Sequence, residues 1–445
     1  MPAAEPSLYA RRRANFMKEM KNGAALFFNA PPRIRSRDTD HRYRPDSDFF
    51  YLTGFREAGS ALLLLPGHPE HQSVLFVQPR NPELETWHGR RLGVEAAPAA
   101  LQVDQAYSFD DLEQVLQKYL TGVPTLYFQL GTWREHDEIV LRLLPRLGNR
   151  HVHPPETLVS PGAIVHEMRL RKDASEIALM KRAAEVTAVG YQEALAHIRP
   201  GGWEYEVQAA LEFAYRRLGG EGSAYTPIVA AGDNATILHY NENDQPLQDG
   251  QLLLIDSGAE FGYYACDVSR TYPVGGRFSQ AQRAVYELVL KAQTEAIAWV
   301  RVGEHVKAYH EHAVRVLTAG MVELGWLTGD LEELIQREAY KRFYMHGTGH
   351  YLGLDTHDVG PYRLEEDWRP IEPGMVFTVE PGLYVPHGMP GIDPAFWGIG
   401  VRIEDDIWVD QAGCPHNLTA AIPKSVDEVE GALQGTRSGV LQATN

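Results

Sequence analysis

Two short segments of this chain repeat one pattern. Gly250-Gln-Leu-Leu-Leu-Ile-Asp256-Ser-Gly258 can be laid over Gly374-Met-Val-Phe-Thr-Val-Glu380-Pro-Gly382, at an offset of 124 residues. Each opens on glycine, runs through five mostly apolar residues, reaches an acid and closes on x-Gly. Such a run reads as a buried strand. An acid at the end of a buried strand is costly unless it is paired or metal-bound. A duplicated half-domain would bring the two acids face to face across a pseudo-two-fold axis.

Each copy has a second acid. Asp267 follows Asp256 in Tyr264-Ala-Cys-Asp267-Val-Ser-Arg270-Thr, with Gly258 and Gly262 between them. Those glycines predict a hairpin that lets Asp256 and Asp267 meet across adjacent strands; a pair of solvated turn acids is the alternative. After Glu380 comes Gly400-Val-Arg402-Ile-Glu404-Asp405-Asp406. Side chains alternate along a strand, so Arg402 and Glu404 share one face and Val401 and Ile403 the other. A structural salt-bridge ladder would also explain that segment, but less well once four acids occur in matching pairs.

Between the copies lies His346-Gly-Thr-Gly-His350-Tyr-Leu-Gly-Leu-Asp-Thr-His357. Its glycines argue against a regular helix, and hence against an HExxH zinc helix. It reads as a glycine-rich loop carrying three histidines, to which His239 adds a fourth. Four carboxylates and one imidazole form a hard, oxygen-rich donor set suited to Mn²⁺ or a similar divalent ion. One cation cannot balance four acids, whereas two divalent ions about 3.5–4 Å apart can, and can share a hydroxide for metal-assisted amide hydrolysis. No Gly-Lys dipeptide, hence no Walker A loop, and no G-x-S-x-G elbow occurs.

Composition agrees with such a site. Asp and Glu number 59 against 42 Lys and Arg, for a formal charge of −17. That balance repels nucleic acid and anionic lipid, so neither is an expected partner. The two cysteines, Cys266 and Cys414, cannot build a disulfide framework, which favours a reducing compartment. The first 25 residues lack the apolar stretch of a signal peptide, and no uninterrupted run of 18 apolar residues exists. A cytoplasmic enzyme is expected.

At 445 residues the chain exceeds one ordinary core, and two domains are expected. In the first half a helix (8–20), strands at 24–28, 61–65, 74–77 and 125–128, and helices at 111–120 and 135–144 suggest an α/β domain. Residues 165–173 are polar and basic. Asp173-Ala-Ser-Glu176 then reads as a capping box opening a helix to about His197. The boundary is placed at 172, giving domains 1–172 and 173–445. Helices at 203–218, 280–301 and 306–324, and strands around Ile228 and Leu238, complete the reading.

The motifs Asp256-x10-Asp267, His346-Gly-Thr-Gly-His350, Thr378-Val-Glu380-Pro-Gly382 and Gly400-Val-Arg-Ile-Glu404-Asp405 together resemble those of the pita-bread metallopeptidases. The resemblance implies an α+β chain: an N-terminal α/β domain of creatinase type, ribonuclease-H-like, and a C-terminal pita-bread domain. It implies metal ligation by Asp256, Asp267, His350, Glu380 and Glu404. Glu380 would also accept a proton. His357 would stabilise the oxyanion, His239 would position substrate, His346 would lie against the proline side, and Arg402 would support the ligands from behind. Within that superfamily the chain most resembles the Xaa-Pro aminopeptidases, through Arg35–Phe55 (RSRDTDHRYRPDSDFFYLTGF) and Trp87–Gly93 (WHGRRLG) as well. Peptides with proline in second position are therefore the expected substrates, and Tyr384 or Trp87 could wall the proline ring. The family further implies a homotetramer in which the Trp87 loop reaches a neighbouring subunit's site. A prolidase is the nearest alternative, although the short gap from Glu380 to Glu404 favours the aminopeptidase. A non-catalytic peptide-binding module or a creatinase-like hydrolase is disfavoured by the complete set of five ligands.

Overall fold

The computed structural model describes residues 6–148 and 150–443. The chain divides into two compact units between Arg169 and Leu170. The helix Gly162–Leu170 runs up to this division. It covers most of the segment that reads as merely polar, because Val165 and Leu170 are buried and Arg169 is buried against Asp48 at 2.7 Å.

The N-terminal unit is built on a six-stranded mixed sheet. Its order is Gln105–Ser108, Ser73–Val77, Ala61–Leu64, Ala24–Phe28, Thr125–Tyr127 and Thr157–Val159. The three inner strands starting at 24, 61 and 73 pair antiparallel, and the outer pairings are parallel. Those three strands are buried throughout, so they read as unbroken apolar runs.

The second unit carries the repeat. In the first half, Leu252–Asp256 pairs antiparallel with Ser269–Pro273, and Asp256 stands opposite Ser269. Between them a smaller hairpin, Ala259–Phe261 with Tyr264–Ala265, turns at Gly262 and Tyr263. Both turn residues have positive φ, 61° and 66°, as a type I′ turn requires. In the second half, Val376–Val379 pairs with Asp405–Val409, and Gly382–Val385 with Ile399–Arg402 lies between. Asp267 and Glu404 thus occupy equivalent points, each just after the returning strand of the inner hairpin. The expected single hairpin is really a hairpin within a ladder, so Asp267 lies beyond the paired residues rather than opposite Asp256.

One packed helix pair accompanies each half: Ala174–Ala194 with Glu204–Arg217, and Gln280–Trp299 with Ala308–Glu323. The first begins with the predicted box. The Asp173 carboxylate accepts from the N–H groups of Ser175 and Glu176, and Glu176 accepts from the Asp173 N–H at 2.9 Å. The strand expected around Leu238 is absent. A 3-10 turn, Gly232–Thr236, precedes a loop in which Ile237 is exposed and Leu238 packs against a small buried cluster that includes Ile228, Tyr240 and Leu254.

Candidate metal centre

The halves interlock through their second acids. The Glu404 N–H donates to the Ser269 carbonyl at 3.1 Å, and the Asp267 N–H donates to the Asp406 carboxylate at 3.1 Å. Each crossing point is therefore tied to the opposite half, and the four carboxylates turn toward one space. A cavity of about 820 Å³ opens there. Asp256, Asp267, His239, His346, His350, His357, Glu380, Arg402 and Glu404, all expected at the site, line it. Ligand atoms of Asp267, His350 and Glu404 lie within 4.8 Å of one another.

Hydroxyl groups and Arg402 hold the acids apart. Tyr225 Oη lies 2.5 Å from an oxygen of Asp256 and 2.5 Å from one of Asp267. Ser269 Oγ donates to Glu404 at 2.7 Å and accepts from Arg402 Nε at 2.8 Å. Arg402 Nη2 binds Asp256 at 2.6 Å, and its Nη1 donates to Tyr384 Oη at 3.0 Å. Tyr225 and Ser269 escape a reading of the sequence because their hydroxyls join acids from different strands.

The histidines have distinct states. His350 Nδ1 donates to the Tyr351 carbonyl at 3.0 Å, which turns Nε2 toward the acids. Nε2 is 3.4 Å from Asp267 and 3.6 Å from Glu380. Burial opposes charge on this ring, yet the hydrogen bond with Asp267 and the charges of Glu380 and Asp267 outweigh it and raise its pKa to about 9. His346 differs. Its Nδ1 donates to the Gly347 carbonyl at 2.7 Å and its Nε2 accepts from Tyr384 at 2.8 Å, so both nitrogens are engaged. Burial first, then Arg402, hold it neutral with a pKa of about 3. His357 packs edge-on against His350 at 4.3 Å and is open to the cavity, as is His239.

One expected substrate residue stands elsewhere. Tyr384 is fully buried behind His346 and Arg402 and does not line the cavity, so it orients those side chains rather than walling a ring. Its position on an inner-hairpin strand turns it into the core. Trp87 belongs to the helix Pro82–His88 of the N-terminal unit and is 82% exposed.

The donor set fits divalent cations. Burial raises the pKa of Asp256, Glu380 and Glu404, and the neighbouring acids add to it in each case. Carboxylates so crowded cannot all ionise without added positive charge. Nε2 of His350, on giving up its proton, supplies the nitrogen donor.

Gly349 holds the histidine loop against the strand bearing Glu380. A Cβ there would lie 1.9 Å from the Thr378 carbonyl oxygen. Around that contact the Thr378 N–H donates to His350 O at 2.9 Å, and the Glu380 N–H donates to Thr348 O at 2.7 Å. Gly349→Ala must push His350 away from the acids. We expect kcat/KM to fall by about a hundred-fold, the scale of an ångström-sized displacement at a reacting centre. Steady-state kinetics and bound-metal analysis check it.

Residues 178–411 match the profile of metallopeptidase family M24, and residues 9–127 that of the aminopeptidase P N-terminal domain. The Xaa-Pro aminopeptidase of Haemophilus influenzae is 42% identical over 436 residues, covering 95% of this chain and 96% of that protein. That of Escherichia coli is 42% identical over 434 residues, covering 96% and 98%. Among solved structures, Pseudomonas aeruginosa aminopeptidase PepP superposes with a TM-score of 0.95 at 43% identity, covering 98% of this chain and 100% of that one. A variant of E. coli aminopeptidase P in complex with substrate gives 0.94 at 40% identity, covering 98% and 99%. The mixed α/β first unit is thus an aminopeptidase P N-terminal domain, the duplicated second unit has the pita-bread fold, and the chain belongs to metallopeptidase family M24.

Proposed function

We propose that this chain is a metal-dependent Xaa-Pro aminopeptidase, releasing the first residue of peptides whose second residue is proline. The observation that carries the proposal is the convergence of four carboxylates and Nε2 of His350 on one cavity. The proline preference rests on the likeness to Xaa-Pro aminopeptidases over nearly the whole chain. Asp256, Asp267, His350, Glu380 and Glu404 would hold two divalent cations, with Mn²⁺ the ion suited to this oxygen-rich set. Bound there, the cations supply a polarised scissile carbonyl and a water of lowered pKa.

The protein's own groups do the rest. Glu380 takes the proton of the attacking water. His357, open to the cavity, donates toward the developing oxyanion. His239 at the mouth steadies the peptide. His346, with both nitrogens engaged, offers a ring face to the proline side. Arg402 and Tyr384 keep Asp256 and His346 in place. The Xaa-Pro bond has no N–H and its ring fixes the backbone, so a site that needs no amide donor suits it.

The exposed indole of Trp87 is available to a neighbouring subunit, and a homotetramer belongs to the same reading; light scattering on the eluting protein tests it. No helix among the described residues is long and apolar enough to cross a membrane, and a cytoplasmic location is proposed on the cysteine usage.

Hydrolysis of Arg-Pro-Pro and of Ala-Pro, each with Mn²⁺ and with chelator, is the deciding assay. We expect chelator-sensitive release of arginine from the tripeptide and little dipeptide turnover. Cleavage of the dipeptide alone makes the protein a prolidase. No turnover of either with metal bound overturns the enzymatic reading.

A further inference from the structure

His357 sits on a loop that needs its own support. It faces the cavity, and its ring contacts His350 only edge-on. The next residue, Asp358, also lines the cavity but has a buried side chain. Its carboxylate accepts from Lys172 Nζ at 2.9 Å, and both side chains are 1% exposed. A buried ion pair of this kind is a poor source of stability, because desolvation offsets the attraction and apolar replacement is often neutral. Its value lies in fixing a geometry.

The surroundings show which geometry. The Lys172 N–H donates to the Gly374 carbonyl at 2.9 Å, at the entry to the strand that leads to Glu380. The Asp358 N–H donates to the Tyr351 carbonyl at 2.8 Å, which closes the loop on the residue after His350. Gly353 lies against the ion pair. A Cβ there would be 2.2 Å from Asp358 Oδ2 and 2.9 Å from Lys172 Cε. The Gly353 carbonyl in turn accepts from the Ala265 N–H at 2.8 Å, two residues before Asp267. The pair therefore links the His357 loop to both halves of the metal-ligand frame.

We propose that Lys172 is a positioning residue for His357, acting through its buried ion pair with Asp358. The inference rests on the role proposed above for His357. Lys172 touches neither the cavity nor the expected ligands. It sets where the His357 ring stands when charge develops on the carbonyl oxygen.

The test uses the full-length, metal-loaded enzyme. Lys172→Met with Asp358→Asn removes both charges together and leaves neither buried alone. We expect kcat for Arg-Pro-Pro to fall by about ten-fold or more, with KM and metal content unchanged, as for a misplaced group that acts in the transition state. His357→Ala alone should show a similar loss. The triple variant should be no worse than His357→Ala, since residues that act through one another are not additive. A purely structural role would shift the melting temperature and leave that non-additivity absent. Wild-type kcat in the double variant, or fully additive losses in the triple variant, overturns the inference while leaving the enzymatic reading intact. Wild-type kcat in His357→Ala removes the role of His357, and this inference with it. Should the double variant not fold, Asp358→Asn alone carries the same cycle, with the amide oxygen left to accept from Lys172.

Discussion

Glu380→Gln is expected to lower kcat for Arg-Pro-Pro by about 10²–10⁴-fold, the range associated with losing a positioned proton acceptor. The substitution keeps the shape and removes only the charge. The Thr378 hydroxyl, 3.3 Å from Oε1, and the Glu380 backbone bond to Thr348 remain, so the loop stays in place. Stability should move the other way. Burial raises the pKa of Glu380 to about 7; His350 and Arg402 lower it, and Asp267 and Asp256 push it up again. The folded value lies above the unfolded value of about 4.3. This acid's contribution is therefore complete below pH 4 and is lost as pH rises through 7. Without metal, the Gln variant should melt higher than the wild type at pH 8, and the difference should vanish toward pH 4. Full activity in the variant would remove Glu380 from the chemistry. A lower melting temperature at pH 8 would show that its charge is compensated by something other than a cation.

The largest stability effect is expected at Arg270, where removal should cost about 3–5 kcal/mol, as for breaking a buried ion pair. Arg270 and Asp405 are fully buried and meet at 2.7 Å. Arg270 also donates to the carbonyls of Ser269, Ile422 and Glu404, the last at 2.5 Å. Asp405 is further bound by Lys424 Nζ at 2.6 Å, Gln293 at 2.8 Å and Thr419 at 2.8 Å. Arg270→Met leaves Lys424 as the remaining cation on Asp405 and strips the Glu404 carbonyl of a charged donor. Urea unfolding should register the loss, and metal affinity should fall with it because Glu404 loses one of its two backbone anchors. Burial works against ionising Asp405, but Arg270 and Lys424 outweigh it and hold the carboxyl well below its usual range. A depressed carboxylate stabilises above its unfolded value of about 3.9 and ceases to do so as pH falls through the folded one. The gap between wild type and variant should therefore be widest above pH 4 and close in stronger acid. A variant with wild-type stability would show that Lys424 alone carries Asp405.

The expected ligands were legible because each is tied to a local pattern. Asp256 and Glu380 end apolar strands, Asp267 follows a glycine hairpin, and Glu404 alternates with Val401 and Ile403. Local signals of this kind survive in one dimension. Leu238 misled because a short apolar run before histidine reads as a strand, while packing against a small buried cluster satisfies it in a loop. Tyr384 misled for the converse reason: an aromatic residue near the site says nothing of which face it occupies. In the fold it is wholly buried and gives its hydroxyl to His346 and Arg402.

By itself the sequence determined which residues could be ligands, the repeat that pairs them, the caps and turns, and a charge balance that repels nucleic acid. These depend on neighbours along the chain. The tertiary structure alone decided that Tyr225 spans Asp256 and Asp267, that Ser269 joins Arg402 to Glu404, and that Lys172 is buried against Asp358. Such contacts join residues far apart in the chain. A hydroxyl or ammonium has no periodicity to reveal its partner, and only the closing of the two halves, which desolvates these groups, makes their pairing obligatory.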